Sequence, residues 1–161
     1  MSNVNGQRKK DPKESQPQND ILLTPSKKLK ILLVEDHPLI QVIHQTMLLD
    51  LNFQSDVASN AKEALKLASY HYDIIILDIG LPDISGIGLA KILKKMPHHS
   101  NTPLLALTAY IDFNTEQSCL AVGITKVLHK PIDHSTLAAV LHSYQSTQSG
   151  HAQDYFSLIK L

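Results

Sequence analysis

The sequence predicts an α/β fold, a doubly wound five-stranded parallel sheet with flanking helices. Three observations predict it. Short apolar runs with little alternation recur along the chain, as strands buried on both faces of a parallel sheet require. Segments with helical apolar spacing separate them, so strand and helix alternate throughout. Four of the five strands stop at groups with chemical capability, namely Glu35 and Asp36, Asp78, Thr108 and Lys130. Open α/β sheets place their ligands at that carboxyl edge.

Each element rests on local signals. Residues 1–28 are rich in Asn, Gln, Ser, Lys and Pro, and they read as a disordered, solvated leader with basic runs at Arg8-Lys9-Lys10 and Lys27-Lys28. Leu29 to Val34 is the first strand and ends in Glu35-Asp36. Pro38 takes a first-turn position, where its missing N–H is no loss, and apolar residues at 39, 40, 43, 47 and 48 carry a helix to Leu51. Phe53 to Ala58 alternates weakly and makes a second strand. Asn60 caps a helix running to about Tyr70.

Ile74 to Leu77 is a third strand closing on Asp78, after which Gly80, Pro82 and Gly86 open a loop. Ile87 to Met96 is a helix with Lys91, Lys94 and Lys95 outward, stopped by Pro97 and the polar run His98 to Asn101. Pro103 to Thr108 is a fourth strand. Asp112 or Asn114 opens the next helix and Gly123 closes it. Thr125 to His129 is a fifth strand and leads into Lys130-Pro131, and Asp133 caps a last helix through about Tyr144. The expected domain is residues 29–145. Residues 146–161 form a tail whose end carries Tyr155, Phe156, Leu158, Ile159 and Leu161, either a frayed end or a short docking segment.

A chain of 161 residues, 43% hydrophobic and with no Trp, suits one small aliphatic-cored domain plus tails. A formal charge of zero gives no global field for nucleic acid or a membrane surface. The single cysteine, Cys119, excludes an internal disulfide and reads as a small core residue. No apolar run approaches the roughly 20 residues of a membrane span, and the N-terminus lacks a signal peptide's apolar core. A cytoplasmic protein with no direct nucleic-acid or membrane partner is expected.

In a parallel sheet the strand ends share one edge, so Glu35, Asp36, Asp78, Thr108 and Lys130 converge. Asp78 alone could be no more than a cap on the next segment. Three carboxylates held together repel one another unless a cation neutralises them, which implies a divalent metal. Mg²⁺ is the hard ion that takes one or two carboxylates and fills its octahedron with water and phosphate oxygen. A carboxylate beside it can attack a phosphoryl group and form an acyl phosphate. Positive charge on the phosphoryl oxygens would come from Mg²⁺ and Lys130, and Thr108 can donate a hydrogen bond to another oxygen.

These residues resemble the response-regulator receiver domain, a flavodoxin-like (βα)5 family. The resemblance covers about Leu29 to Tyr144 and rests on Val34-Glu35-Asp36, Leu77-Asp78 with Pro82 and Gly86, Leu107-Thr108-Ala109 and Lys130-Pro131, in that order. It sets aside the reading of Asp78 as a cap alone. It implies that Asp78 accepts a phosphoryl group from a phosphohistidine, that Glu35 and Asp36 help bind Mg²⁺ with the backbone carbonyl of Gly80, and that Thr108 and Lys130 sense the phosphate. The partners implied are a histidine kinase, a histidine phosphotransfer protein, or both. Catalysis would be limited to the domain's own phosphorylation and dephosphorylation, with no external substrate.

One position departs from the family. An aromatic usually stands three residues before the lysine, and here Val127 does. Movement of Thr108 and of the loop Tyr110 to Asn114 would have to carry the signal. A receiver that passes its phosphoryl group onward needs less conformational output than a regulator of DNA binding, so a phosphorelay or hybrid-kinase receiver, or a single-domain one, is expected, with no output module expected in the residues outside the domain. Signalling through protein contacts is therefore expected, from a monomer or weak dimer. The helix after Asp36 has an apolar surplus, with Leu39 and Val42 expected toward solvent, where with Pro131 they would meet the partner.

The nine histidines contain no spaced ligand pair and read as scattered surface residues, His37 and His129 flanking the acidic site. Two other classes compete. An aspartyl phosphatase would want a second Asp two residues after Asp78, where Gly80 stands. A receiver-like adaptor that binds partners without phosphorylation would be marked by a lost acceptor or acidic pair, and neither is lost.

Overall fold

The computed structural model describes residues 28–148; most of the expected leader and the aromatic end of the tail lie outside them. Five strands and five helices alternate: β1 Lys30–Val34, α1 Pro38–Asp50, β2 Gln54–Ala58, α2 Ala61–Leu67, β3 Ile74–Asp78, α3 Gly86–Leu93, β4 Leu104–Thr108, α4 Phe113–Ala121, β5 Lys126–His129 and α5 His134–Gln148. All strand pairs are parallel in the order β2-β1-β3-β4-β5. This is the predicted doubly wound sheet.

Alternation along the buried strands sorts side chains into two cores. Leu32, Val34, Ile75, Leu77, Leu104 and Ala106 pack with Ala61 and Ala64 of α2, Leu89, Ala90 and Leu93 of α3 and Cys119 of α4. Ile31, Leu33, Ile74, Ile76, Leu105 and Leu107 pack with Leu48 of α1 and Leu137, Val140 and Leu141 of α5. Strands β3 and β4 are buried at every position, which is why they read as unbroken apolar runs. The edge strands β2 and β5 are partly exposed, which weakens their signal.

Caps stand where the sequence puts them. The side chains of Asn60, Asp112 and Asp133 accept from the backbone N–H groups of Glu63, Thr115 and Thr136. Between the two candidates for α4, Asp112 is the cap.

Three helix ends differ from expectation. α2 stops at Leu67 rather than Tyr70, where the Ser69 and Tyr70 N–H groups bond three residues back to the Lys66 and Leu67 carbonyls, and the Ala68 carbonyl beyond the helix end accepts from Nε2 of buried His99 at 2.9 Å. α3 stops at Leu93, and Lys95 and Met96 continue as a tighter turn, bonding three residues back to Ile92 and Leu93. α5 continues through Gln148, past the expected end near Tyr144 and across the 145/146 boundary. The stretch after Tyr144 contains no Pro and no Gly before Gly150, so nothing in it stops a helix. Lys94 is also not simply outward, since its ammonium donates to the Thr102 carbonyl at 2.7 Å and its stem lies over Gly123, whose φ is +93°.

Among the described residues the expectation of surface histidines fails at His99 and His44, which are 0% and 5% exposed. The His99 ring stacks near Tyr72, with Nδ1 3.2 Å from the Thr102 hydroxyl and Nε2 on the Ala68 carbonyl. Burial holds this imidazole neutral by lowering its pKa from the ordinary 6.5, against the Ala68 carbonyl, which raises it. The unfolded chain then binds the proton first as pH falls. Stability contributed by neutral His99 is fully present above about pH 6.5 and is lost below it. Urea denaturation between pH 7.5 and 5 should show a steeper loss for the wild type than for His99→Gln, which cannot titrate.

Candidate functional site

The sheet order brings the chemical groups to one edge. Val34 pairs with Leu77, Asp78 with Leu107 and Thr108 with His129, so the ends of β1, β3, β4 and β5 are neighbours. Backbone bonds extend this order past the strands, with Ile79 N–H to the Leu107 carbonyl at 3.0 Å and Lys130 N–H to the Thr108 carbonyl at 2.8 Å. The peptide bond between Lys130 and Pro131 is cis.

Lys130 joins the cluster. Its Nζ lies 2.7 Å from Asp78 Oδ2 and 2.7 Å from Glu35 Oε2. Burial works against the ammonium charge, but the bonds to Asp78 and Glu35 outweigh it and hold the pKa above the ordinary 10.5. Glu35 is 1% exposed and Asp78 8%, so this cation compensates two nearly buried carboxylates. Glu35 Oε1 accepts the His37 N–H at 3.2 Å, and Asp78 Oδ1 accepts the Gly80 N–H at 2.9 Å.

Asp36 is exposed beside them. Glu35, Asp36 and Asp78 each offer a carboxylate oxygen, and these atoms lie within 4.8 Å of one another. Three hard oxygen donors converging at a sheet edge fit a divalent cation such as Mg²⁺. Gly80 stands next to this cluster through its N–H bond to Asp78. The Thr108 hydroxyl donates to the Tyr110 carbonyl at 2.9 Å and accepts the Tyr110 N–H at 3.1 Å. It is thereby tied to the loop beyond β4.

The proposed partner residues lie around this edge. Leu39 and Val42 are 62% and 59% exposed on α1, and Pro131 is exposed beside Lys130. Ile43, a further apolar residue of that helix, is exposed as well. Val127 is half-buried and packs toward the core formed with α2 to α4. His37 precedes α1 and His129 ends β5, both exposed.

At this edge one residue escaped the sequence reading and another had no role assigned to it there. His44 lines a cleft of about 510 Å³ with Ile40, Ile43, Asp78, Lys130 and Pro131, and its Nδ1 is buried without a hydrogen-bond partner. Burial lowers its pKa, with Glu35 and Asp78 opposing that shift and Lys130 adding to it. Its position between Ile40 and Leu48 on the helical period was the signal that it points inward. Gly86 opens the loop after Asp78 and belongs to the motif that carries the resemblance, with no role of its own assigned in the sequence. A Cβ there would come 2.2 Å from the Asp78 carbonyl oxygen, so Gly permits the backbone approach on which the acceptor strand rests.

Comparison with known proteins agrees with this geometry. Residues 31–142 match the response regulator receiver domain. The chain is 36% identical over 122 residues to the aerobic respiration control sensor protein ArcB of Escherichia coli (strain K12), a match spanning 74% of this chain and 16% of ArcB. It is 32% identical over 126 residues to the two-component response regulator PhoP of Pseudomonas aeruginosa, spanning 78% of this chain and 55% of PhoP. Among solved structures, the chemotaxis response regulator CheY4 of Vibrio cholerae superposes with a TM-score of 0.70 at 29% identity, over 73% of this chain and 99% of that one. The receiver domain of the sensor histidine kinase PA1611 of Pseudomonas aeruginosa PAO1 has a magnesium ion coordinated in its active site cleft. It superposes with a TM-score of 0.69 at 27% identity, over 74% of this chain and 99% of that one. The parallel sheet, the acidic edge with its lysine and the family match lead to one identification: this chain belongs to the response regulator receiver domain family of two-component systems.

Proposed function

We propose that this chain accepts a phosphoryl group from a phosphohistidine onto Asp78 in a Mg²⁺-dependent reaction, and relays it or signals through protein contacts. The observation that carries the reading is Lys130 Nζ set between Asp78 and Glu35, with Asp36 converging on the same point.

An Asp78 carboxylate oxygen forms the new O–P bond while the donor's P–N bond breaks, and the imidazole leaves with the electron pair. Glu35, Asp36, Asp78 and the Gly80 carbonyl would hold Mg²⁺, which supplies positive charge against the phosphoryl oxygens. Lys130 turns from its carboxylates to one phosphoryl oxygen, and the Thr108 hydroxyl leaves the Tyr110 carbonyl for another. Release of Tyr110 is then the local structural consequence. With Val127 in place of an aromatic, that loop carries the conformational change.

The chain turns over no external substrate in this reading. Its partners are a histidine kinase, a histidine phosphotransfer protein, or both, meeting Leu39, Val42 and Pro131 around the acidic edge. Similarity to the sensor proteins ArcB and EvgS and to the histidine-protein kinase BarA supports the relay type. The protein acts in the cytoplasm as a monomer or weak dimer, without direct contact to nucleic acid or membrane; no helix among the described residues is long and apolar enough to cross a membrane.

Metal linkage tests the site. If Mg²⁺ binds the folded state alone, each tenfold rise above its Kd adds about 1.4 kcal/mol of stability. Asp36→Asn should remove most of that increment. An unchanged melting temperature in wild type across the titration would contradict the shared site.

A further inference from the structure

Helix α1 is apolar on two faces. Leu48 and His44 are buried toward the sheet, while Leu39, Val42, Ile43 and Leu49 are 62%, 59%, 40% and 73% exposed. At helical spacing these four fall on one stripe with Thr46, whose hydroxyl donates to the Val42 carbonyl at 2.8 Å. From Leu39 to Leu49 the stripe is about 15 Å long at ~1.5 Å per residue. A phosphodonor docked at the acidic edge meets its upper end, at Leu39 and Val42. Leu49, at the opposite end of the helix, is left without an occupant.

We propose that this chain's own residues 151–161 pack along the stripe. The place where α5 ends supports this. Leu141 and Val140 share a core with Leu48, and Tyr144 packs against that core together with Met47 and Leu51, so α5 leads the chain out beside the lower half of α1. The reach is sufficient, because the seven residues from Gln148 to Tyr155 span up to about 23 Å at ~3.3 Å each. The chemistry also matches. Tyr155, Phe156, Leu158 and Ile159 fall on one side of a helical wheel, with Asp154, Ser157 and Lys160 on the other, so the segment offers an apolar face of the stripe's own kind. In the sequence Gly150, a residue type that favours a helix end, lies between α5 and this segment.

The contact would regulate the site, a consequence that rests on the reading that α1 receives the phosphodonor. Cover over Leu39 and Val42 competes with docking and slows transfer from a histidine protein. It leaves uptake from a small phosphodonor unchanged.

The test uses the full chain with a spin label on Ser157→Cys; Cys119 is buried, and labelling of a single site is verified by mass. Methyl signals of Leu39, Val42, Ile43 and Leu49 should lose most of their intensity relative to the reduced label, at every protein concentration. Ile92 and Leu120, exposed on α3 and α4, should keep theirs. Adding Phe156→Asp and Ile159→Asp should restore the α1 signals. No broadening, broadening that persists in the double variant, or broadening that fades on dilution would each overturn the proposal, the last by assigning the stripe to a second copy. Broadening only from a label on Asn19→Cys would overturn it in favour of the leader's Ile21-Leu22-Leu23. Phosphoryl uptake from acetyl phosphate, measured on the same samples, separates failure of this contact from failure of the phosphorylation reading.

Discussion

Lys130→Ala is expected to lower stability by about 3 kcal/mol without divalent metal, because it leaves the nearly buried carboxylates of Glu35 and Asp78 without their cation. The side chains of Lys130, Glu35 and Asp78 are 16%, 1% and 11% exposed, so solvent screens the cluster little. Mg²⁺ should restore part of the loss by supplying positive charge at the same point. Asp78→Asn in the Lys130→Ala background should restore part as well, since it removes one of the stranded charges. Urea denaturation of wild type, the two single variants and the double variant, with and without Mg²⁺, checks both statements. An additive pair of effects would mean that the two side chains do not interact. The same lysine variant should lose phosphoryl uptake even where it is fully folded, because the phosphoryl oxygens lose a cation.

Gly86→Ala is expected to destabilise by about 3 kcal/mol, at the upper end for overpacking. The added Cβ would meet the Asp78 carbonyl oxygen at 2.2 Å, Leu77 Cδ1 at 2.7 Å and Ile79 Cα at 2.8 Å. Two of these atoms belong to the backbone and cannot turn aside. The strand end would have to shift, and it carries the acceptor carboxylate. Gly88→Ala is the control, since its neighbours are the side-chain atoms Ile84 Cγ2 at 2.9 Å and Ser85 Oγ at 3.5 Å, and Ala favours a helix over Gly. Chemical denaturation should separate the two variants clearly, and acetyl phosphate uptake should fall in Gly86→Ala alone.

Features that depend on local pattern were legible in the sequence. β1, β3 and β4 announce themselves because burial on both faces demands unbroken apolar runs. Asn60, Asp112 and Asp133 do so because a cap bonds to backbone only three residues away. Placement of the strand-end residues on one edge came from the parallel topology. The features that escaped depend on contacts between distant segments. Burial of His99 rests on the Ala68 carbonyl, 31 residues away in sequence, just past the end of α2. The burial of His44 has a local signal in the apolar period of α1, but a polar residue type obscures it. The role of Gly86 depends on how closely α3 approaches the end of β3, which no local pattern encodes.

The central claim is that Asp78 is the phosphoacceptor, and peptide mapping after brief incubation with acetyl phosphate and Mg²⁺ tests it most directly. One phosphoryl group should appear on intact wild-type protein and map to the peptide containing Asp78. None should appear with chelator present or in Asp78→Asn. A phosphoryl group on another residue, or undiminished uptake by Asp78→Asn, would contradict it.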